Sequence, residues 1–289
     1  MHLDRFRIRP GDDRALDRID PDETGPFRDK DAALKHLKSG KVRLEERQEQ
    51  LVANDRYSLL LVFQGMDGAG KDSAIKHVLS GVNPQGTEVH SFRQPSAEEL
   101  AHDFLWRAVK ALPARGRIGI FNRSYYEDVV TVRVHPALVE ARRLPGAVVT
   151  PHIWKERFED INAFERHLAR SGTVVRKFYL HLSRKKQAER LLERLDEPSK
   201  HWKFNPGDLV ERGRWQQYLA AWGAAIAATS HAHAPWYVVP SDHKWFAHTL
   251  IAEVIVDALK ALDLSLPPIP ANVERQMAQA RRELMRRRR

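Results

Sequence analysis

Residues 58–73 read Ser-Leu-Leu-Leu-Val-Phe-Gln-Gly-Met-Asp-Gly-Ala-Gly-Lys-Asp-Ser, and no other stretch constrains the chain so tightly. The apolar run Leu59 to Phe63 predicts a buried strand. A glycine-rich turn, Gly65 to Lys71, follows it, and Asp72 to Leu79 has the pattern of a helix start. Strand, glycine loop, lysine and helix in that order predict a phosphate-binding P-loop. The glycines let successive backbone N–H groups curl inward around an anion. The helix N-terminus adds its partial positive charge, and the Lys71 ammonium is a mobile cation. Gly68, Ala69, Gly70 and Lys71 are the expected cradle. Asp72 stands where a magnesium-binding Ser or Thr is usual, and Asp67 is an uncommon acid within the loop.

The remaining chain alternates strands and helices. Strands are predicted at 87–92, 117–121, 174–182 and 236–239. Helices are predicted at 28–54, from Ser96 to about Leu112, from Pro151 to Gly172, and at 243–263. This alternation implies an α/β fold in three layers, α/β/α, around a five-stranded parallel sheet. Ligands then gather at the carboxyl ends of the strands. The chain reads as a single domain, 1–289. An N-terminal arm and helix cover 1–57, and the arm at 1–27 is expected to run irregularly over the surface. The core is 58–183 and 231–263, with a charged helical lid at about 184–214 and a basic tail at 272–289. Leu34, Leu37, Leu44 and Leu51 give the first long helix an apolar face, to be packed against the domain or a partner chain. That face suggests a homo-oligomer.

Composition narrows the class. No window approaches 18 uncharged apolar residues, so no membrane span is expected. Met1 to Arg7 lacks the apolar core of a signal peptide. Cysteine is absent, which removes disulfides, thiolate metal sites and cysteine nucleophiles. A cytoplasmic enzyme fits these features. The formal net charge of +10 implies a polyanionic partner, either nucleic acid or a long inorganic phosphate chain.

A second signature lies at the end of the third strand, Asn122-Arg123-Ser124-Tyr125-Tyr126-Glu127-Asp128. An arginine there faces phosphates, and two acids four or five residues on are candidate magnesium ligands. Further segments accompany it: Gly81-Val82-Asn83-Pro84-Gln85-Gly86, Pro95-Ser96-Ala97-Glu98-Glu99, Trp202-Lys203-Phe204 with Asp208, and Ala234-Pro235-Trp236-Tyr237-Val238-Val239-Pro240. Together with Gly65 to Asp72 these resemble the polyphosphate kinase 2 family, over nearly everything from about residue 30 to 262. The resemblance implies a thymidylate-kinase-like P-loop kinase fold with a helical lid. It also implies magnesium-dependent phosphoryl transfer between inorganic polyphosphate and a nucleotide. Many members carry Asp where Asn122 stands, and the Asn form resembles the subgroup acting on both AMP and ADP. Whether Glu127 or Asp128 replaces the missing carboxylate stays open.

Roles follow from the chemistry. Phosphoryl transfer needs alignment and positive charge more than covalent help. Asp67, Lys71 and Arg123 are the expected catalytic residues, with Arg123 bridging donor and acceptor phosphates. Asp67 is assigned to magnesium or to orienting the acceptor phosphate. Mg2+ is the expected cofactor, with Asp67, Glu127 and Asp128 as candidate ligands. Polyphosphate is expected on residues 68–72, Arg93, Arg123, Arg184, Lys185 and Lys203. Nucleotide is expected on Asn122, Arg133 and Trp202, the last by base stacking. AMP, ADP and ATP are the expected nucleotides, with guanine nucleotides left open. His231-Ala232-His233 reads as a helix end and not a zinc site. Two rivals remain: an ATP-dependent nucleotide kinase of the same fold, and a nucleic-acid-binding P-loop protein. The basic surplus and Asp67 argue against the first, and the lack of an RNA-binding signature against the second.

Overall fold

The structure is a computed structural model and describes residues 1–286. Five strands form one parallel sheet: β1 (Ser58–Gln64), β2 (Thr87–Ser91), β3 (Ile118–Asn122), β4 (Thr173–His181) and β5 (Trp236–Pro240). Their spatial order is β2-β3-β1-β4-β5. The predicted strands are all present. Every residue of β1 is buried, as expected of a central strand covered on both faces. Helices Lys30–Asn54, Lys71–Val78 and Lys244–Lys260 pack together on one side, and Ile153–Arg170 with Trp215–Thr229 on the other.

This order positions the site. After β1 the chain crosses β3 to reach β2; after β3 it crosses β1 to reach β4. Right-handed crossovers in opposite directions put the two connections on opposite faces. A crevice is left between the carboxyl ends of β1 and β3. The P-loop leaves one of these ends and Asn122-Arg123-Ser124 the other. Phe63 is in register with Asn122.

Several elements differ from expectation. The helix after Ser96 is two short ones, Ala97–Ala101 and Trp106–Lys110. Ser96 and Glu99 do form the capping box, but Asp103 accepts from the Leu105 amide at 2.9 Å and breaks the run. The N-terminal arm does run over the surface, but Phe6, Ile8, Ala15 and Ile19 anchor it in the core. Phe6 and Ile8 are buried, and Phe6 and Ile8 exchange backbone hydrogen bonds with Val238 and Trp236 at the edge of the sheet. The apolar face of Lys30–Asn54 lies within the domain, with Leu37, Leu44 and Leu51 buried and the helix packed on Lys244–Lys260. Those three leucines are accounted for by packing within the domain, while Leu34 stays exposed.

Tyr125 and Tyr126 belong to the core. Both hydroxyls donate to Glu165 Oε1 at 2.9 Å. Lys177 Nζ donates to Glu165 Oε2 at 2.5 Å and to the Thr229 carbonyl at 2.8 Å. Lys177 and Glu165 are both fully buried. Desolvation lowers the Lys177 pKa and Glu165 opposes that shift. Lys177→Met leaves the Glu165 carboxylate buried without its counter-charge, at an expected cost of ~3–5 kcal/mol. Urea unfolding checks this, and Glu165→Leu added to Lys177→Met is expected to recover part of the loss. An unchanged midpoint in the single variant would refute the account.

Candidate active site

The P-loop backbone is set by its glycines. Gly65 has φ +148°, and a Cβ there would lie 2.8 Å from the Leu180 carbonyl oxygen. Gly70, with φ +100°, turns the chain into the helix Lys71–Val78. Lys71 folds back over the loop, its Nζ donating to the Gly65 carbonyl at 2.7 Å and the Met66 carbonyl at 3.3 Å. Burial, and then the charge of Arg123, hold its pKa below the ordinary lysine value.

Arg123 occupies a left-handed conformation, φ +63°, which is rare outside glycine. Its N–H donates to the Phe63 carbonyl at 3.0 Å, so the turn stays pinned to β1 while the side chain swings over the loop. There the guanidinium donates to Asp67 Oδ1 at 2.6 Å, with Glu127 4.0 Å away. Glu127 first, and Asp67 also, raise the Arg123 pKa. Gln64 bridges the two strand ends, donating to Glu127 and accepting from the Ser124 amide at 3.0 Å each. Asn122 donates to Asp72 Oδ1 at 2.6 Å.

Two clefts meet at this point. One, of about 380 Å³, is lined by the P-loop, Asn122 and a row of bases: Lys71, Arg93, Arg123, Arg190, Arg194, Lys200, Lys203 and Lys244. The other, of about 580 Å³, mixes apolar walls such as Val132, Leu138 and Trp222 with Glu127, Asp208 and Glu211. Asp67, Phe92, Arg93 and Arg123 line both. A polyanion suits the first and a nucleoside the second. Arg93 and Arg123 stand at the junction, where two phosphates would meet.

The helix Arg184–Asp196 sits on the loop. Gln187 donates to the Asp67 carbonyl at 2.7 Å. Arg190 donates to the Gly68 and Ala69 carbonyls at 2.9 Å each and also to the Ser241 carbonyl. A 3-10 turn, Pro198–Lys203, interrupts the segment before the helix Gly207–Gly213. Arg194 then pairs with Asp208 at 2.7 Å, tying these segments together.

The predicted residues divide accordingly. Gly68, Gly70, Lys71, Asp72, Arg93, Asn122, Arg123 and Lys203 line the basic cleft, with Asp67 at the junction and Glu127 in the nucleoside-sized cleft. Ala69 is buried beneath the loop. Asn122, expected on the nucleotide, lines the basic cleft and not the larger one. Asp128 is turned into the protein, fully buried and paired with Arg142, and lines neither cleft. Burial raises its pKa. Arg133, Arg184, Lys185 and Trp202 are exposed and line neither cleft. The Trp202 ring is 79% exposed, with Lys203 Nζ 5.0 Å from its centroid. On a helix, residues six positions apart point to different sides, so Arg184 faces solvent while Arg190 reaches the loop. Sequence reading passed over Arg190, Arg194 and Lys200 individually and missed Lys244 altogether. Lys244 opens the last core helix, far from every glycine motif.

Asp67 and Glu127 fit a magnesium ion. Both carboxylates line the larger cleft, and Mg2+ takes one or two carboxylates with substrate phosphates completing its shell. Among the described residues no cluster of three candidate ligands occurs.

A P-loop at a switch point, with a basic cleft meeting a nucleoside-sized one, defines a phosphotransferase of the P-loop kinase class. The family model for polyphosphate kinase 2 matches residues 28–266, and the chain belongs to the polyphosphate kinase 2 family. It is 43% identical to an ADP-polyphosphate phosphotransferase of Rhodopseudomonas palustris, over 97% of this chain and 98% of that one. It is 42% identical to an AMP/ADP-polyphosphate phosphotransferase of Meiothermus ruber, over 92% and 96%. The crystal structure of polyphosphate kinase 2 from Arthrobacter aurescens TC1 superposes with a TM-score of 0.85 at 37% identity, covering 95% of each chain.

Proposed function

We propose that this protein transfers the terminal phosphoryl group of inorganic polyphosphate to AMP and to ADP, reversibly and with Mg2+. The observation that carries the reading is the meeting of the two clefts at Asp67, Arg93 and Arg123. Polyphosphate lies along the basic cleft with its end on the P-loop, and the nucleotide enters from the larger one. An oxygen of the nucleotide phosphate attacks the terminal phosphorus. The bridging P–O bond breaks, and the electron pair leaves with the shortened chain. The acceptor oxygen is already anionic, so no strong base is needed. Arg123 and Lys71 neutralise charge on the transferring group. Mg2+, held by Asp67 and Glu127, supplies further neutralisation of the phosphate oxygens when bound. Names of relatives support both acceptors, and a Pseudomonas aeruginosa relative named GDP-polyphosphate phosphotransferase keeps guanine nucleotides in view. Soluble nucleotide acceptors favour the cytoplasm; among the described residues no helix is long and apolar enough to cross a membrane.

The test is incubation of AMP with polyphosphate and Mg2+, without ATP. ADP and then ATP are expected. ADP consumed with AMP untouched would remove the dual acceptor but keep the donor. No reaction with either would sink the reading. A nucleotide kinase of the ordinary kind would need ATP in place of polyphosphate.

The lid reading yields a finer expectation. Lys200→Ala and Lys203→Ala should each weaken apparent polyphosphate affinity roughly fivefold, the upper scale of an exposed charge contact, with ADP affinity unchanged. Arg184→Ala and Lys185→Ala, outside the cleft, should weaken it less. Equal effects in all four would mean that the segment acts only through its overall charge.

A further inference from the structure

The helix Ala271–Arg286 follows the proline-rich connector and buries none of its residues. A 16-residue helix with no packed face is marginal in water. Its sequence is nonetheless patterned. Val273, Met277, Ala280 and Leu284 recur at spacings of four, three and four, which is the seam of a two-heptad coiled coil. Met277 and Leu284 are 55% and 67% exposed. Arg275, Arg282 and Arg286 fall on the opposite face.

We infer that this helix pairs antiparallel with the same helix of a second copy of the chain. The flanks of the seam decide the occupant and the direction. Glu274 and Arg281 lie on one flank, one heptad apart, at equivalent positions. In an antiparallel pair, Val273 of one helix meets Leu284 of the other, and Met277 meets Ala280. Glu274 then faces Arg281 of the other copy, twice, by the two-fold symmetry. A parallel pair sets Arg281 against Gln276 and leaves Glu274 without that partner. The small Ala280 opposite the long Met277 allows close approach of the two backbones. A lipid surface explains the arginines but not Glu274 and Glu283 on the borders of the seam, where they would meet anionic headgroups. A polyphosphate chain explains neither the acids nor the apolar seam.

The absence of cysteine makes the test clean, since every thiol is then an engineered one. Val273→Cys chains and Leu284→Cys chains are purified, mixed and mildly oxidised. A cross-linked heterodimer is expected in the mixture and little or none from either chain alone. Equivalent residues of an antiparallel pair would lie about 16 Å apart along the axis, beyond disulfide reach. Cross-links within each separate chain would mean parallel pairing and overturn the proposal, as would no cross-link in any mixture. Light scattering gives the second readout. Met277→Glu with Leu284→Glu should halve the mass of the principal species at unchanged turnover, as should deletion of residues 272–289. Glu274→Arg alone should shift the mass likewise, and Arg281→Glu added to it should restore it. A mass equal in all variants, or binding of the unpaired wild type to anionic vesicles, would refute self-pairing.

Discussion

Lys71→Ala is expected to lower turnover at least ~100-fold, the scale of one lost transition-state donor. The ammonium is buried, and its only hydrogen bonds among the described residues go to two carbonyls of its own loop, Gly65 and Met66. Those contacts hold it in place without cancelling its charge. A terminal phosphate on the loop would therefore meet a positioned cation. Burial also lowers the lysine's pKa, so its charge in the free enzyme is lost as pH rises through a value below the ordinary lysine range. The alkaline fall of kcat/KM for polyphosphate should begin correspondingly early. At saturating polyphosphate it should move up, because bound anion favours the charged form. Single-turnover rates at matched stability check the first claim, and a pH series checks the second. Turnover within a few-fold of wild type would take Lys71 out of the transition state.

Asp67→Asn is expected to cost a similar ~100-fold, for a different reason. Asp67 lines both clefts and accepts from Arg123 at 2.6 Å. Asparagine keeps the shape and can still accept from Arg123, but the negative charge is gone. The variant should therefore need more Mg2+ for half-maximal rate, while its stability changes little. A loss of activity with an unchanged magnesium curve would assign Asp67 to orienting the acceptor phosphate. Near-wild-type rates at saturating magnesium would remove it from the site.

Sequence reading found the residues fixed by local geometry. Gly65, Gly70 and Lys71 are forced by what a strand-to-helix turn around an anion requires, within seven positions of each other. Arg123 was legible because a parallel sheet delivers β3's carboxyl end beside that turn. The seven-residue signature around it was harder to divide. Only the fold sends Asn122, Arg123 and Glu127 to the clefts and Tyr125, Tyr126 and Asp128 inward. A tight turn after a strand has no fixed period, so neighbours in sequence can face solvent or core.

The basic run at 184–214 shows the same limit from the other side. Its charge was plain, yet Arg184 and Lys185 point to solvent while Arg190 caps the P-loop carbonyls. Charge alone does not select among bases; helix phase against the sheet does, and that depends on where the helix is anchored. Lys244 reaches the same cleft from more than 170 residues beyond the loop, a proximity that no local pattern encodes. The sequence by itself determined the phosphate loop, the parallel α/β fold and the need for a polyanionic partner, because each follows from local backbone geometry, periodicity or net charge. Tertiary structure alone decided which bases line the basic cleft, which acid is left facing the larger one, and that two clefts meet at Arg123, because these depend on how distant segments are oriented against one another.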